Sequence, residues 1–124
     1  MRHNQAIGKM GEDSAVKFLE KKGYSILFKN WRCEYGELDI VGLKNEQLVF
    51  FEVKTRTGIR YGWPEESVTL LKQEHLLNCA NTFFDHYPQY EKYSWQIDVI
   101  AIMVNSRDAD KLQITQFENA VTDR

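Results

Sequence analysis

Two segments of the chain place charged residues at the spacing that puts side chains on one face of a β-strand. Glu52 and Lys54 are two residues apart in an apolar run, and Glu37 and Asp39 are two apart in an earlier one. Side chains at this spacing point the same way. Burying such charges costs on the order of several kcal/mol unless they are paired or bind an ion. The Glu-x-Lys spacing is weak by itself, because a solvated strand end with a local ion pair would also produce it.

The two segments are separated by a short polar turn at residues 44–46, which predicts an antiparallel hairpin. In such a hairpin Asp39 lies near Glu52. Two carboxylates that converge repel each other unless a cation lies between them. Carboxylate oxygens suit Mg²⁺ or Mn²⁺ rather than zinc. The pattern therefore predicts a Mg²⁺ or Mn²⁺ site with the Lys54 ammonium beside it.

Glu12 is a third carboxylate that could join this site. Ala15 and Leu19 follow it at helical spacing, so Glu12 lies on or beside the apolar face of a helix. Gly8 and Gly11 would let that helix approach another backbone closely. Alone, Glu12 is better interpreted as an exposed acid on the helix flank. With the hairpin site in place, it becomes a metal ligand or a residue that holds water.

The hydrophobic pattern predicts one domain over residues 1–124 with the element order α-β-β-β-α-β-β. The helices are expected at about 5–22 and 68–85. The strands are expected at about 24–28, 37–41, 47–54, 95–104 and 112–117. The third strand is apolar on both faces and should be central. This order predicts an α/β fold with a central mixed β-sheet flanked by helices.

The net charge of −2 argues against a protein that coats nucleic acid by bulk electrostatics. The charge is uneven, however. Residues 1–72 carry 12 Lys and Arg against 10 Asp and Glu, and residues 73–124 carry 4 against 8. This distribution permits a modest basic surface around a compact acidic site, as an enzyme that binds phosphate requires.

The two cysteines, Cys33 and Cys79, are far apart in sequence and have no metal-ligand spacing. Free thiols in a reducing compartment fit them better than a disulfide framework. The sequence shows no secretory signal and no stretch long enough to span a membrane. We therefore expect a cytoplasmic protein without a membrane partner.

A series of short motifs runs in one order through nearly the whole chain. They are Gly8-x-x-Gly11-Glu12, Gly23-Tyr24-x-Ile26-Leu27, Asn30-Trp31-Arg32, Gly36-Glu37-Leu38-Asp39-Ile40, residues 48–56, Pro64-Glu65-Glu66-Ser67-Val68, Lys72 and Asp98-Val99-Ile100-Ala101. With these motifs the chain resembles the YraN family of predicted bacterial endonucleases, within the PD-(D/E)XK nuclease superfamily. The resemblance implies a restriction-endonuclease-like fold with the metal at one end of the sheet.

The resemblance also implies roles for the residues at matching positions. Asp39 and Glu52 would be metal ligands, with the main-chain carbonyl of Val53 as a companion ligand. Lys54 would orient or activate the attacking water, and Glu12 would complete the metal shell directly or through water. The proline of the superfamily signature is absent before Asp39, and the YraN family shares that departure.

The implied activity is hydrolysis of phosphodiester bonds in DNA, including branched or flapped DNA. Arg56, Arg60 and Lys72 are candidates for phosphate contacts, although each could simply be solvated. A nucleic-acid-binding module with little or no turnover is the alternative, and an interaction domain is a third. A homodimer would suit symmetric cutting. Asp98 interrupts an apolar strand, where it either stabilises the structure or supports the site.

Overall fold

The computed structural model describes residues 2–57, 68–105, 107–108 and 111–122. Its elements are α1 (Arg2–Lys21), β1 (Ser25–Cys33), β2 (Gly36–Lys44), β3 (Gln47–Thr57), α2 (Leu70–His86), a 3₁₀ turn (Pro88–Tyr90), β4 (Ser94–Val104) and β5 (Leu112–Val121). The predicted order α-β-β-β-α-β-β is confirmed. Neither α1 nor α2 combines the length and the apolar character that crossing a bilayer requires.

The five strands form one mixed sheet in the order β1-β2-β3-β4-β5. β3 and β4 are parallel, and the other neighbours are antiparallel. β3 is therefore the central strand, as the sequence predicts. The parallel connection from β3 to β4 passes through α2, and such a connection requires a crossover. The result is a restriction-endonuclease-like fold in which helices flank a mixed sheet.

The two faces of β3 pack against different helices, which explains its two-sided apolar pattern. On the α2 face, the Phe50 ring meets the rings of Phe83 and Phe84 edge-on at centroid distances of 5.3 and 5.8 Å. On the opposite face, Phe51 joins the α1 core cluster and meets Tyr24 at 5.3 Å. Such edge-to-face pairs stabilise the core beyond the area that they bury.

The β2–β3 hairpin turns through Asn45 and Glu46, whose φ angles are 51° and 61°. Two positive φ angles in a two-residue loop match the twist of the flanking strands. The turn fixes the register in which Lys44 pairs with Gln47 and Ile40 pairs with Phe51. The predicted hairpin is confirmed, and this register carries Asp39 and Glu52 to the same end of the sheet.

β1 is longer than predicted and continues to Cys33 instead of ending near residue 28. It is an edge strand that pairs only with β2. Its exposed positions therefore tolerate polar side chains such as Asn30 and Arg32, which hide the strand from a hydrophobic pattern. α2 also begins later than predicted, at Leu70, because Thr69 caps its first turn.

Candidate functional site

The strands β2 and β3 separate at the end of the sheet where the sequence predicts the site. Ile40 and Phe51 are the last residues of their ladder. Beyond them, the Asp39 carboxylate enters the gap, and its Oδ2 accepts a 2.7 Å hydrogen bond from the Val53 N–H. A side chain thus satisfies a main-chain donor that the ladder no longer pairs. This bond fixes the buried Asp39 carboxylate against the backbone of β3.

Asp39 and Glu52 form a buried carboxyl pair at this point. Their relative exposures are 7% and 3%, and the two groups lie within hydrogen-bonding reach. Burial raises the pKa of Asp39 to about 9, with further contributions from the hydrogen bond and the repulsion of Glu52. The Val53 N–H opposes that rise. Asp39 therefore favours its protonated form, and a cation placed between the two groups would replace that proton.

Lys72 lies against the same pair from the first turn of α2. Its Nζ is 3.2 Å from Oε2 of Glu52, but this oxygen has no hydrogen-bond partner among the described residues. The contact is therefore an ion pair without hydrogen-bond geometry. The main chain of Lys72 is held by the helix cap, since its N–H donates to Thr69 Oγ1 at 3.1 Å. The lysine thus compensates the charge of a candidate metal ligand.

Gly11 lets α1 approach β3 closely enough to bring the next residue, Glu12, to the site. A Cβ atom at Gly11 would lie 2.0 Å from the Thr55 Oγ1 atom. No pair of non-bonded atoms tolerates that distance. By contrast, a Cβ at Gly8 would meet nothing within 4 Å. Of these two glycines, Gly11 is the one required by packing.

Glu12 belongs to the same group of acidic residues. Burial raises its pKa, a hydrogen bond from the Asn30 side chain opposes the rise, and repulsion from Glu37 adds to it. Glu12 also contributes to the raised pKa of Asp39. The structure therefore brings the three predicted carboxylates, on α1, β2 and β3, into one electrostatic cluster.

A groove of about 520 Å³ runs between α1 and β3 beside this cluster, and its polar lining includes Glu12, Lys54 and Arg56. Lys54 and Arg56 are partly exposed. The Arg56 Nη1 donates a 3.0 Å hydrogen bond to the main-chain oxygen of Thr55. Arg60, the third candidate for phosphate contacts, lies outside the described residues. The groove places two cationic side chains next to the acidic cluster.

The donor set around Asp39 and Glu52 fits a hard divalent cation. Among the residues that the structure describes, no three carboxylate, thiol or imidazole groups converge closely enough to enclose a metal by themselves. Mg²⁺ commonly binds one or two protein carboxylates and keeps several waters. Two adjacent carboxyl groups, one of them with a buried oxygen that accepts no hydrogen bond from the described residues, are suited to that mode of binding.

Asp98 is fully buried but does not belong to this cluster. Its carboxylate accepts hydrogen bonds from Gln96 Nε2 at 2.8 Å, from Gln116 Nε2 at 2.8 Å and from the Asn119 N–H at 2.9 Å. These donors are neutral and lie on β4 and β5. Asp98 therefore joins the edge strand β5 to β4. Of the two interpretations that the sequence allows, this favours a role in stabilising the structure over support of the site.

The sequence did not predict two contacts of the site, Lys72 with Glu52 and Asn30 with Glu12. The sequence pattern indicates Lys72 only as a possible phosphate contact, although a crossover after β3 implies that α2 begins near the site. Asn30 adopts a positive φ of 52°, which asparagine tolerates better than most residues. Nothing in the sequence pattern identifies this bend.

Comparison with known proteins finds a matching family model and several similar chains. The model of the "Uncharacterised protein family UPF0102" matches residues 11–102. A UPF0102 protein of Clostridium perfringens is 41% identical over 119 residues, which cover 96% of each chain. A UPF0102 protein of Caldicellulosiruptor saccharolyticus is 36% identical over 118 residues, covering 95% of this chain and 98% of the relative. One from Chloroherpeton thalassium is 42% identical over 105 residues, covering 85% and 81%.

Proposed function

The chain belongs to the UPF0102 family, and we propose that it is a metal-dependent nuclease that hydrolyses phosphodiester bonds in DNA. One observation carries the proposal: Asp39 and Glu52 are buried side by side where β2 and β3 separate. Lys72 compensates the charge of Glu52, but a second acid buried beside it still lowers the free energy of unfolding. Cation binding would turn this unfavourable arrangement into a catalytic one.

Asp39 and Glu52 would hold Mg²⁺ or Mn²⁺, together with the main-chain carbonyl of Val53. Glu12 would complete the shell through a bound water, since it does not converge with the other two carboxylates closely enough for direct ligation. When bound, the divalent ion supplies Lewis acidity at the phosphoryl oxygen and lowers the pKa of bound water. The hydrogen bond from the Val53 N–H to Asp39 Oδ2 orients this carboxylate before any ion arrives.

The cationic side chains supply the remaining chemistry. Lys54 orients the attacking water and stabilises the negative charge that develops on the phosphoryl oxygens. Arg56, in the same groove, contacts a neighbouring phosphate. Lys72 compensates Glu52 in the metal-free protein and would be available to contact phosphate when Glu52 holds a divalent ion.

We propose that local contacts in the groove, rather than the electrostatic field of the whole protein, recognise the DNA substrate. With a net charge of −2, the protein would bind DNA through the cations along the groove, which contact phosphates without reading sequence. We therefore propose recognition of DNA shape, as in branched or flapped DNA. Symmetric cutting of a four-way junction requires two sites, and a homodimer would provide them.

A second function is favoured by the ion pair between Lys72 and Glu52. This contact offsets the charge of one acid, so the metal-free cluster repels phosphate less than two free carboxylates would. A nucleic-acid-binding module with the same fold and little or no turnover could use the groove in this state. Such a module would bind DNA equally well with and without divalent ions.

The test is cleavage of labelled linear, single-stranded, flapped and four-way DNA in Mg²⁺ or Mn²⁺. Wild type is compared with Glu52→Gln, which keeps the shape of the side chain, and with Asp13→Asn, which alters an exposed acid beside Glu12. We expect metal-dependent cutting by wild type and Asp13→Asn, and none by Glu52→Gln. Cutting that persists in Glu52→Gln would refute the assignment of the site. Metal-independent binding without cutting by any of the three proteins would favour the binding module.

A further inference from the structure

The cysteines Cys33 and Cys79 are 46 residues apart in sequence, yet their Sγ atoms lie 2.9 Å from each other. Both are free thiols. Cys33 is the last residue of β1, and Cys79 lies in the middle of α2. Cys79 is buried, whereas Cys33 is partly exposed. The fold thus brings two reduced sulfur atoms into contact between the sheet and a helix.

The turn between β1 and β2 holds this contact in place. The Tyr35 N–H donates to Cys33 Sγ at 3.4 Å, and Gly36 pairs with Cys33 across the hairpin. A Cβ at Gly36 would lie 4.0 Å from Cys79 Sγ. Tyr35 itself is 41% exposed. The sulfur pair therefore lies directly beneath a tight, solvent-facing turn, through which a small oxidant can reach Cys33.

We propose that Cys33 and Cys79 are a redox modification site, which a hydroperoxide converts into a reversible intrachain disulfide between the β1–β2 turn and α2. The inference rests on the contact between the thiols and is independent of the proposed nuclease function. The two thiols meet without any rearrangement of the elements that carry them, so oxidation needs only small side-chain movements.

Oxidation of the two thiols to the disulfide proceeds in two steps. The Cys33 thiolate attacks one oxygen of the hydroperoxide, so that an S–O bond forms, the O–O bond breaks and an alcohol or water leaves with a proton. The Cys79 sulfur then attacks the Cys33 sulfenic acid, so that the S–S bond forms, the S–O bond breaks and water leaves with the Cys79 proton. The two thiols lose two electrons, and the hydroperoxide gains them.

The different environments of the two residues explain why Cys33 reacts with the oxidant before Cys79. Cys33 is the more exposed of the two residues, so it meets the oxidant first. Burial, followed by the interaction with Cys33, raises the pKa of Cys79 to about 12. Cys79 therefore stays protonated and unreactive towards dissolved oxidant, and it acts only on the adjacent sulfenic acid.

The cross-link would connect two parts of the molecule that flank the acidic cluster. Lys72 lies seven residues before Cys79 on the same side of α2, and it lowers the pKa of the Cys79 thiol, whereas Glu37 raises it. Oxidation would thus link the helix that carries Lys72 covalently to the end of β1, just before the strand that carries Glu37.

The disulfide would also restrict the unfolded chain and so raise the melting temperature by on the order of 10 °C.

The experiment treats the reduced full-length protein with hydrogen peroxide and maps peptides without reduction. A Cys33–Cys79 peptide that dithiothreitol releases, together with a higher melting temperature of the oxidised monomer, would support the proposal. Only intermolecular disulfides, or only overoxidised thiols, would overturn it. An intrachain bond that lowers the melting temperature would also overturn it, because the contact would then not be pre-formed.

Single variants test the order of the two steps. In Cys79→Ala, which removes the buried sulfur without adding a polar atom, we expect peroxide to leave a sulfenic acid at Cys33 that dimedone traps. In Cys33→Ser, Cys79 should remain unmodified under the same conditions. Rapid labelling of Cys79 in Cys33→Ser would refute the assignment of Cys33 as the attacking thiol.

Discussion

The ammonium of Lys72 lies 3.2 Å from the buried Oε2 of Glu52, so a helix residue occupies one side of the carboxylate that the sequence assigns to a metal. This contact joins the first turn of α2 to the end of β3. A divalent cation at Glu52 must displace or share this position. The ion pair and the proposed metal site are therefore in competition for one oxygen.

Lys72→Ala should bind Mn²⁺ more tightly than wild type, by roughly tenfold or about 1.4 kcal/mol. The competing ammonium is gone, and the uncompensated Glu52 gains more from a cation. Isothermal titration calorimetry measures the affinity, with Lys92→Ala as an exposed-lysine control. Weaker Mn²⁺ binding by Lys72→Ala would show that Lys72 supports the metal site instead of competing with it. DNA binding should weaken in the same variant, because a phosphate contact is lost.

Asp39→Asn should stabilise the metal-free protein by about 1 to 3 kcal/mol. It removes one acid from the buried pair, and the amide oxygen can still accept the hydrogen bond from the Val53 N–H. The same change should abolish Mn²⁺ binding. Urea denaturation in a chelator measures the free energy of unfolding. A loss of stability would mean that the carboxylate of Asp39 is needed for folding.

The stability of the metal-free protein should fall as the pH rises. The pKa of Asp39 is about 9 in the folded protein against an ordinary value of 3.8. The folded state therefore holds a proton that the unfolded chain releases in this window, and the free energy of unfolding decreases from about pH 4 to about pH 9. The slope should be shallower in Asp39→Asn. Urea denaturation at about pH 5 and about pH 8 checks this, and parallel slopes would contradict it.

Asp98→Asn should have the opposite effect on stability to Asp39→Asn, a loss of about 2 kcal/mol. Each oxygen of Asp98 accepts from N–H donors, and an amide NH₂ would turn a donor towards another donor. Metal binding should remain, since Asp98 lies outside the acidic cluster. Thermal denaturation and Mn²⁺ titration together distinguish a structural role of Asp98 from a role in the metal site. Loss of Mn²⁺ binding in the folded variant would place Asp98 in the site.

Gly11→Ala should destabilise the protein by about 1 to 3 kcal/mol, because the new Cβ collides with Thr55 Oγ1. It should also reduce any nuclease activity, since α1 must shift and carry Glu12 with it. Gly8→Ala is the matched control: its Cβ meets nothing within 4 Å, so the gain in helix propensity should stabilise the protein by up to about 1 kcal/mol. Thr55→Ala should partly rescue Gly11→Ala. Equal effects of the two glycine variants would refute the close contact.

The parts of the fold that follow from repeating hydrophobic patterns were predictable. The apolar run in 47–54, which covers both faces, identifies β3 as a central strand, and the polar turn before it identifies the hairpin. The period of two along each strand then placed Asp39 near Glu52. Each of these inferences needs only residues that are close in sequence, and the structure confirms them.

Contacts between residues on elements that are distant in sequence were not predictable. The direction of α2 over the sheet decides that Lys72 meets Glu52, and the extension of β1 decides that Cys33 meets Cys79. An edge strand with half-exposed polar residues leaves little periodicity to detect. The roles of Asp39, Glu52, Glu12 and Lys54 in metal binding and catalysis stay predictions.

The hydrogen bond from the Val53 N–H to Asp39 has a consequence for how this sequence can evolve. Position 39 completes the main-chain pairing of β3 as well as serving the acidic cluster, whereas Glu52 provides the sheet with no such bond. A descendant that abandoned catalysis could therefore replace Glu52 with an apolar residue and gain stability. At position 39 it would still need a side chain that accepts the hydrogen bond from the Val53 N–H. Asn is therefore the residue that we expect at this position in a relative that has lost catalysis.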